Sequence, residues 1–241
     1  IQKSHHIAAL AAYLEPSAKQ GLVGIIMSSD PNVRSVAPFG GSAPVMTPNP
    51  IAACWPTTHG PVILDVSMSV TAAGVVARYG RAGAKLPHPW LLDANGNPTD
   101  DASIKIGDGG GSVQALGGMD AGHKGFALGL WVEAMTSGLA GYGRAKPATG
   151  KMGASVMVQI LDPAAFGGLD QLREETGFLA DASRASAPAD LRRPVRVPGD
   201  AALMRKQNSL AQGLELHPEI PAQLNRVAQR FGVSVPIPRN D

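Results

Sequence analysis

Gly21 to Ser28, GLVGIIMS, is a continuous apolar run bounded by polar residues, and it reads as a short strand covered on both faces that ends in Ser28-Ser29-Asp30-Pro31. Pro61 to Val66, PVILDV, is a second such run with Asp65 at its end, and Lys151 to Asp162, which contains GASVMVQILD, is a third. Helical spacing occupies other stretches. Ser4 can cap a helix from about His5 to Gln20, in which Ile7, Leu10, Ala11 and Leu14 keep the period until Pro16. Similar spacing recurs at about Ser69 to Gly80. Leu169 to Ala185 alternates acidic, basic and apolar residues like a surface helix, and about Pro218 to Phe231 is amphipathic. From Phe126 onward the apolar residues Leu128, Leu130, Trp131, Val132, Ala134, Met135 and Leu139 surround most of a helix, which predicts burial on all sides until Gly138 and Gly141 end it.

Between these elements the chain is punctuated by turn residues. Pro38, Gly40, Gly41, Pro44, Pro48 and Pro50 mark a long loop, LPHPWLLDANGNPTDDAS is turn-rich with Asn95-Gly96 suited to a hairpin, and Pro188 to Asp200 reads as a basic, proline-rich linker. There are no internal repeats. Strands and helices of mixed spacing predict an α/β or α+β sheet domain. No GxGxxG follows a strand, so a Rossmann dinucleotide site is not supported.

Composition narrows the function classes. The chain has 241 residues, 44% of them hydrophobic, enough to bury one large core or two small ones in a soluble globular protein. Twenty-one Lys+Arg against 19 Asp+Glu leave a formal charge of +2, which points to neither nucleic acid nor a membrane surface. The single cysteine, Cys54, rules out an internal disulfide and fits a core position in a reducing compartment. No apolar run is long enough to span a bilayer and no signal peptide is visible, so the expected location is the cytoplasm.

The residues themselves offer a few seats for chemistry. His5 and His6, expected in the first turn of a helix, point about 100° apart, so they do not chelate one metal, and no metal site is expected. A neutral imidazole at a helix N-terminus suits proton transfer, and it equally suits a surface cap. Ser29 and Asp30 at the end of a buried strand occupy a common binding position, though Asp30-Pro31 is also a plain turn former. Asp65 is either paired with backbone N–H groups or aimed at ligand hydroxyls. His123 and Lys124 stand between Gly122 and Gly125 at the expected mouth of the apolar helix, where a phosphate or carboxylate could sit; the alternative is a solvated lysine beside a tight turn. The spacing is not that of a P-loop. Residues alone reach a soluble α/β domain with an anion-binding helix mouth.

Ser4-His5-His6, SDP and PFGG at Ser29 to Pro31 and Pro38 to Gly41, NPIA at Asn49 to Ala52, LDxxxS at Leu64 to Ser69, GHKG at Gly122 to Gly125, DPAAFGG at Asp162 to Gly168 and VPGD at Val197 to Asp200 occur in colinear order. Together they resemble the type-2 malate/L-lactate dehydrogenase family, whose relatives include ureidoglycolate dehydrogenase, diketogulonate reductase and piperideine-carboxylate reductase. The resemblance covers nearly the whole chain and favours the ureidoglycolate-like branch. It implies a non-Rossmann NAD(P)-binding mixed sheet flanked by helices, with residues 1–241 forming a cofactor-binding domain that ends in a helical segment. It implies an NAD- or NADP-dependent oxidoreductase acting as a homodimer on small 2-hydroxy acids (malate, lactate or ureidoglycolate-like) and their 2-oxo or imino counterparts. By motif position His6 and Asp30 are the catalytic candidates. The cofactor-binding candidates are His6, Ser29, Asp65, Val66, Ser67, His123, Lys124, Pro198, Gly199 and Asp200, and Thr47 is the substrate candidate.

Departures from the family pattern are informative. The family's Gly-Thr before Asn-Pro is here Thr47-Pro48, and the His-Gly-Asp run of the piperideine branch is here Ala73-Gly74-Val75, which disfavours that branch. The chain begins IQKSHHI, after the family's N-terminal helical region with its Ser-His-Gly motif and substrate-binding arginine. The alternatives to a working dehydrogenase are a catalytically incomplete cofactor-binding fragment of that family and a phosphate-binding α/β module.

Overall fold

The structure, a computed structural model, describes residues 1–145 and 153–235. In chain order its elements are a 3-10 turn at Leu10–Tyr13, α1 (Glu15–Lys19), β1 (Val23–Ser29), β2 (Ile51–Thr57), β3 (Gly60–Val66), α2 (Ala73–Arg81), β4 (Leu91–Leu92), β5 (Pro98–Thr99), β6 (Ser112–Val113) and α3 (Gly118–Glu133). A π turn at Ala134–Gly138 extends α3; β7 (Ser155–Leu161), α4 (Leu169–Ala185), α5 (Asp200–Gln212) and α6 (Glu219–Phe231) follow. The α/β reading holds. The main sheet has the order β3-β2-β1-β7, and a small second sheet has the order β5-β4-β6. Pairings between these strands are all antiparallel, with parallel contacts only at isolated bridges such as Val36–Val113.

The three apolar runs form β1, β3 and β7, and the hairpin at Asn95-Gly96 closes β4 onto β5 through Asp93 and Asn97. Lys151 and Met152, at the start of the third run, lie outside the described residues. The strand Ile51–Thr57 and the helix Asp200–Gln212 were not legible as separate elements: one begins directly after a proline-rich loop, and the other has no buried residue to set a period. The main sheet is covered on both faces. On one, Leu10, Leu14 and Ala18 pack against Ile26, Ala52, Cys54, Ile63 and Val156. On the other, Ser29 meets the π turn, while Trp55 and Val62 meet Ala180 and Val197. Successive residues of a strand point to opposite faces, which is why Ile26 and Ser29 serve different layers. A second core, built from Val36, Met46, Met68, Val76, Leu91 and Val113 among others, lies under the small sheet and α2.

Two expectations fail here. The single helix from His5 to Gln20 does not form: Ser4 instead bridges to Ala154, Ala8 takes a left-handed φ of 58°, and regular turns begin only at Leu10 and Glu15. Pairing of the first residues with the edge of β7 satisfies their backbone outside any helix, so Ser4 is not a helix cap. Nor is the helix after Phe126 buried all round. Its buried stripe is Gly122, Gly125, Gly129 and Val132, whereas Leu130, Trp131 and Leu139 are 52%, 46% and 73% exposed. A methyl at Gly125 would collide with the backbone of Leu116 and of Met68, and one at Gly129 with the Met68 side chain. Close approach therefore turns the small residues inward and leaves the large ones outside.

Candidate active site

Antiparallel pairing decides where the motifs meet. Met27 near the end of β1 pairs with Ile51 at the start of β2, Ile51 pairs with Val66 at the end of β3, and Ser29 pairs with Ser155 at the start of β7. The end of β1, the approach to β2 and the end of β3 therefore share one end of the sheet. The Ser4–Ala154 bridge adds the N-terminal segment along β7, antiparallel to it, so His6 leaves at that same end. His6, Ser29, Asp30, Thr47, Asp65, Val66 and Ser67, spread over more than sixty positions of sequence, are gathered there by strand direction alone.

His6 is exposed, and its Nδ1 accepts the Ala8 N–H at 3.2 Å. The neutral ring consequently carries its proton on Nε2. No helix starts beside His6, so no helix dipole acts on its imidazole. The chain then crosses the sheet, and Ala11 donates its N–H to Asp65 Oδ2 at 2.9 Å. Asp65, an exposed residue, thus anchors this crossing with one carboxylate oxygen. Val66 is exposed and Ser67 half-buried, its hydroxyl bonded to Ser69.

The distant VPGD segment docks on the same strand. Ile63 donates its N–H to the Pro198 carbonyl at 3.1 Å. Gly199 has φ 101°, and a Cβ there would meet Ile63 N at 3.0 Å, so only glycine allows this approach. Asp200 does not offer its side chain outward. Both of its oxygens are held by the Arg184 guanidinium, at 2.8 and 3.2 Å, and Oδ2 also accepts the Val197 N–H. The guanidinium first, and then the Val197 N–H, hold this carboxyl below its ordinary value, while partial burial opposes them.

Farther along the chain, α3 begins earlier than the glycine pattern predicts. Gly117 and Gly118, with φ of 105° and 61°, start the helix at Gly118, so His123 and Lys124 lie in its second turn and not at its mouth. Their backbone N–H groups are already inside the helical ladder, and an anion on the helix end would not reach them. His123 packs edge-on against Phe39, with ring centroids 5.7 Å apart. Lys124 is exposed and in no ion pair among the described residues. It immediately precedes Gly125, which packs against the Met68 carbonyl one residue past Ser67.

Asp30 and Thr47 are coupled. The Asp30 N–H donates to Thr47 Oγ1 at 3.3 Å, Thr47 Oγ1 donates to Asn49 Oδ1 at 2.6 Å, and Asn49 Nδ2 reaches the Gly129 carbonyl and Glu133 Oε1, each at 3.1 Å. Ser29 is buried, and its hydroxyl bridges Thr136 and Ser137 at 2.7 Å each. The π turn makes this possible, because one extra residue in the turn brings two consecutive hydroxyls to the same strand end. Asn49, Glu133, Thr136, Ser137 and Arg144 are the site-end residues that sequence reasoning did not single out as functional. The asparagine of NPIA had a signal in the Asn-Pro pair, but an arginine in a glycine-rich tract had none.

A cleft of about 760 Å³ opens beside these groups, lined by Val45, Phe126, Leu130, Glu133, Ser137 and Arg144 among others. No group of three His, Cys, Asp or Glu among the described residues is placed to hold a metal, and no helix there is long and apolar enough to cross a membrane. Cys54 is fully buried with its thiol pushed up by that burial, as a core residue should be.

The family model described as malate/L-lactate dehydrogenase matches residues 1–225. An L-lactate dehydrogenase from Cupriavidus necator is 31% identical over 98% of the chain and 68% of its own length. A Δ1-pyrroline-2-carboxylate reductase from Pseudomonas fluorescens is 32% identical over 90% of the chain and 62% of its own length. Among solved structures, malate dehydrogenase from Entamoeba histolytica superposes with a TM-score of 0.84 at 22% identity, covering 98% of this chain and 68% of that one. The chain therefore spans about two thirds of the length of these relatives.

Proposed function

The chain belongs to the malate/L-lactate dehydrogenase family, and from that premise we propose that it is the cofactor-binding part of an NAD(P)-dependent oxidoreductase that interconverts a small 2-hydroxy acid and its 2-oxo acid. The observation that carries this reading is the gathering of His6, Asp30, Thr47 and Asp65 to Ser67 at one end of the main sheet, with VPGD docked on β3. The residues fit a nicotinamide dinucleotide. Lys124 supplies an exposed cation for a phosphate, Asp65 keeps one carboxylate oxygen for ribose hydroxyls, and Val66 offers exposed apolar surface to a ring. Pro198 and Gly199 present backbone in this reading, since the Asp200 carboxylate is taken by Arg184. Ser29 contributes through the wall it builds with Thr136 and Ser137. His123 shapes the Lys124 turn through its contact with Phe39.

A nicotinamide supplies hydride transfer to or from the substrate carbon when bound. The protein's share is to hold the substrate and move the proton. In the arrangement seen, His6 offers Nε2–H as a donor to the substrate's 2-oxygen. Full proton transfer through Nε2 requires the second proton to reside on Nδ1, so the exposed 3.2 Å contact with the Ala8 N–H opens during turnover. Asp30 accepts the Asn32 N–H with Oδ1, and its second oxygen orients the reacting hydroxyl next to Thr47. The protein works as a homodimer in the cytoplasm on this reading, and the exposed Leu130, Trp131 and Leu139 supply an apolar face for the second copy.

Titration of the purified chain with NADH and with NADPH, followed by tryptophan quenching and thermal shift, tests the cofactor claim and its 2'-phosphate preference. Turnover is then sought with 2-oxo acids and with a cyclic imino acid, the latter prompted by the Pseudomonas relative. Binding of neither dinucleotide to a folded chain would leave the fragment or phosphate-module alternatives standing.

A further inference from the structure

We propose that Arg144 is a positioning residue, a guanidinium clamp that fixes the turn after β1 and with it Asp30 and Thr47, the proposal resting on the oxidoreductase reading for what those two residues do. Its side chain is 16% exposed and all of its donors are engaged. Nε and Nη2 both donate to Glu133 Oε1, at 3.0 and 2.8 Å. Nη1 donates to the Val33 carbonyl at 2.7 Å and the Pro31 carbonyl at 3.4 Å, and Nη2 to the Asp30 carbonyl at 2.9 Å and Thr47 Oγ1 at 3.5 Å. A planar fork reaching three carbonyls of one turn and a carboxylate on α3 is a task that a lysine does not perform.

The geometry has two consequences. First, Arg144 has no donor left for a substrate carboxylate, although it lines the cleft; the clamp serves the protein and not the ligand. Second, Glu133 is the common hub. Its Oε1 also accepts from Asn49 Nδ2, so the turn bearing Asp30 and the segment bearing Thr47 are tied to a single carboxylate where α3 passes into the π turn. Removing the guanidinium frees three carbonyls at once and leaves the half-buried Glu133 carboxylate with only an amide partner.

The test compares Arg144→Lys, Arg144→Ala and Glu133→Gln with the wild-type chain. Hydrogen exchange is read at Asp30, Asn32 and Val33, whose amides are all bonded within or onto this turn. In both Arg144 variants exchange at these amides should rise by about tenfold or more, with the β2 and β3 amides unchanged. Dinucleotide affinity should stay within about twofold, because Asp65, the second turn of α3 and VPGD are positioned without Arg144, while kcat falls about tenfold or more. Glu133→Gln, which keeps an acceptor, should lie between wild type and Arg144→Ala. The clamp is overturned if a folded Arg144→Ala exchanges like wild type at the turn, if exchange rises uniformly through the sheet, or if Arg144→Lys restores wild-type behaviour. Should the wild type bind no dinucleotide, the functional reading fails, and the exchange measurement still decides whether the clamp exists.

Discussion

Two glycines of α3, four residues apart, should respond to the same substitution to different degrees. A methyl at Gly125 points into the backbone of Leu116 and lies 2.7 Å from the Met68 carbonyl oxygen, at the junction where Leu116 N–H bonds Met68 O at 2.6 Å. Backbone cannot swing aside, so overpacking of about 1–3 kcal/mol and loss of a hydrogen bond of about 1 kcal/mol outweigh the roughly 1 kcal/mol that alanine gains over glycine in a helix. Gly125→Ala should be destabilised by about 1–3 kcal/mol, lowering Tm by several degrees. At Gly129 the obstacle is the thioether of Met68, a side chain with three rotatable bonds, so strain near the lower end of the same range and the helical gain roughly cancel. Gly74 in α2 faces open space, and Gly74→Ala should be neutral or stabilising by up to about 1 kcal/mol. Urea unfolding with unchanged m values gives the three numbers on one scale. If Gly125→Ala matches or exceeds Gly129→Ala in stability, the inward-facing glycine stripe is not what seats α3.

The remaining expectations concern the site and its supports. Lys124→Ala should raise the dissociation constant for NADH or NADPH by about tenfold or more if the ammonium holds a phosphate, measured by fluorescence titration. Asp65→Asn keeps an acceptor for the Ala11 N–H, so stability should change by less than about 1 kcal/mol while dinucleotide affinity falls several-fold. His6→Asn should cut kcat by about a hundredfold or more with little change in cofactor affinity, as expected for loss of a proton-transfer group. Asp200→Asn should destabilise the protein by about 1–2 kcal/mol at neutral pH. Because the folded carboxyl titrates below its unfolded value, that contribution is complete above the ordinary aspartate range and is lost as pH falls through the folded value; urea midpoints of variant and wild type should therefore converge in acid.

Local pattern carried much of the fold. The apolar runs at Val23–Ser29, Gly60–Val66 and Ser155–Leu161 are strands because a short run without helical period buries both faces only in a covered sheet, and Leu169–Ala185 is a helix because its charges repeat with the turn. Asn95-Gly96 set its own hairpin, and Cys54 sits in the core as its neighbours required. These outcomes depend on residues within one element, so the chain states them directly.

What only the tertiary structure decided depends on partners far away in sequence. Ser4 to Ala8 lost a helix because the edge of β7 offered a competing set of hydrogen bonds 150 positions distant. Leu130 and Trp131 look like core residues until the glycine stripe, pressed against Leu116 and Met68, turns them outward. The motifs named the candidate residues, but their convergence follows from antiparallel strand direction, and the Arg144 clamp follows from a turn, a loop and a helix end meeting around one carboxylate. Periodicity records which face of an element is apolar; it does not record what another segment will bring against it.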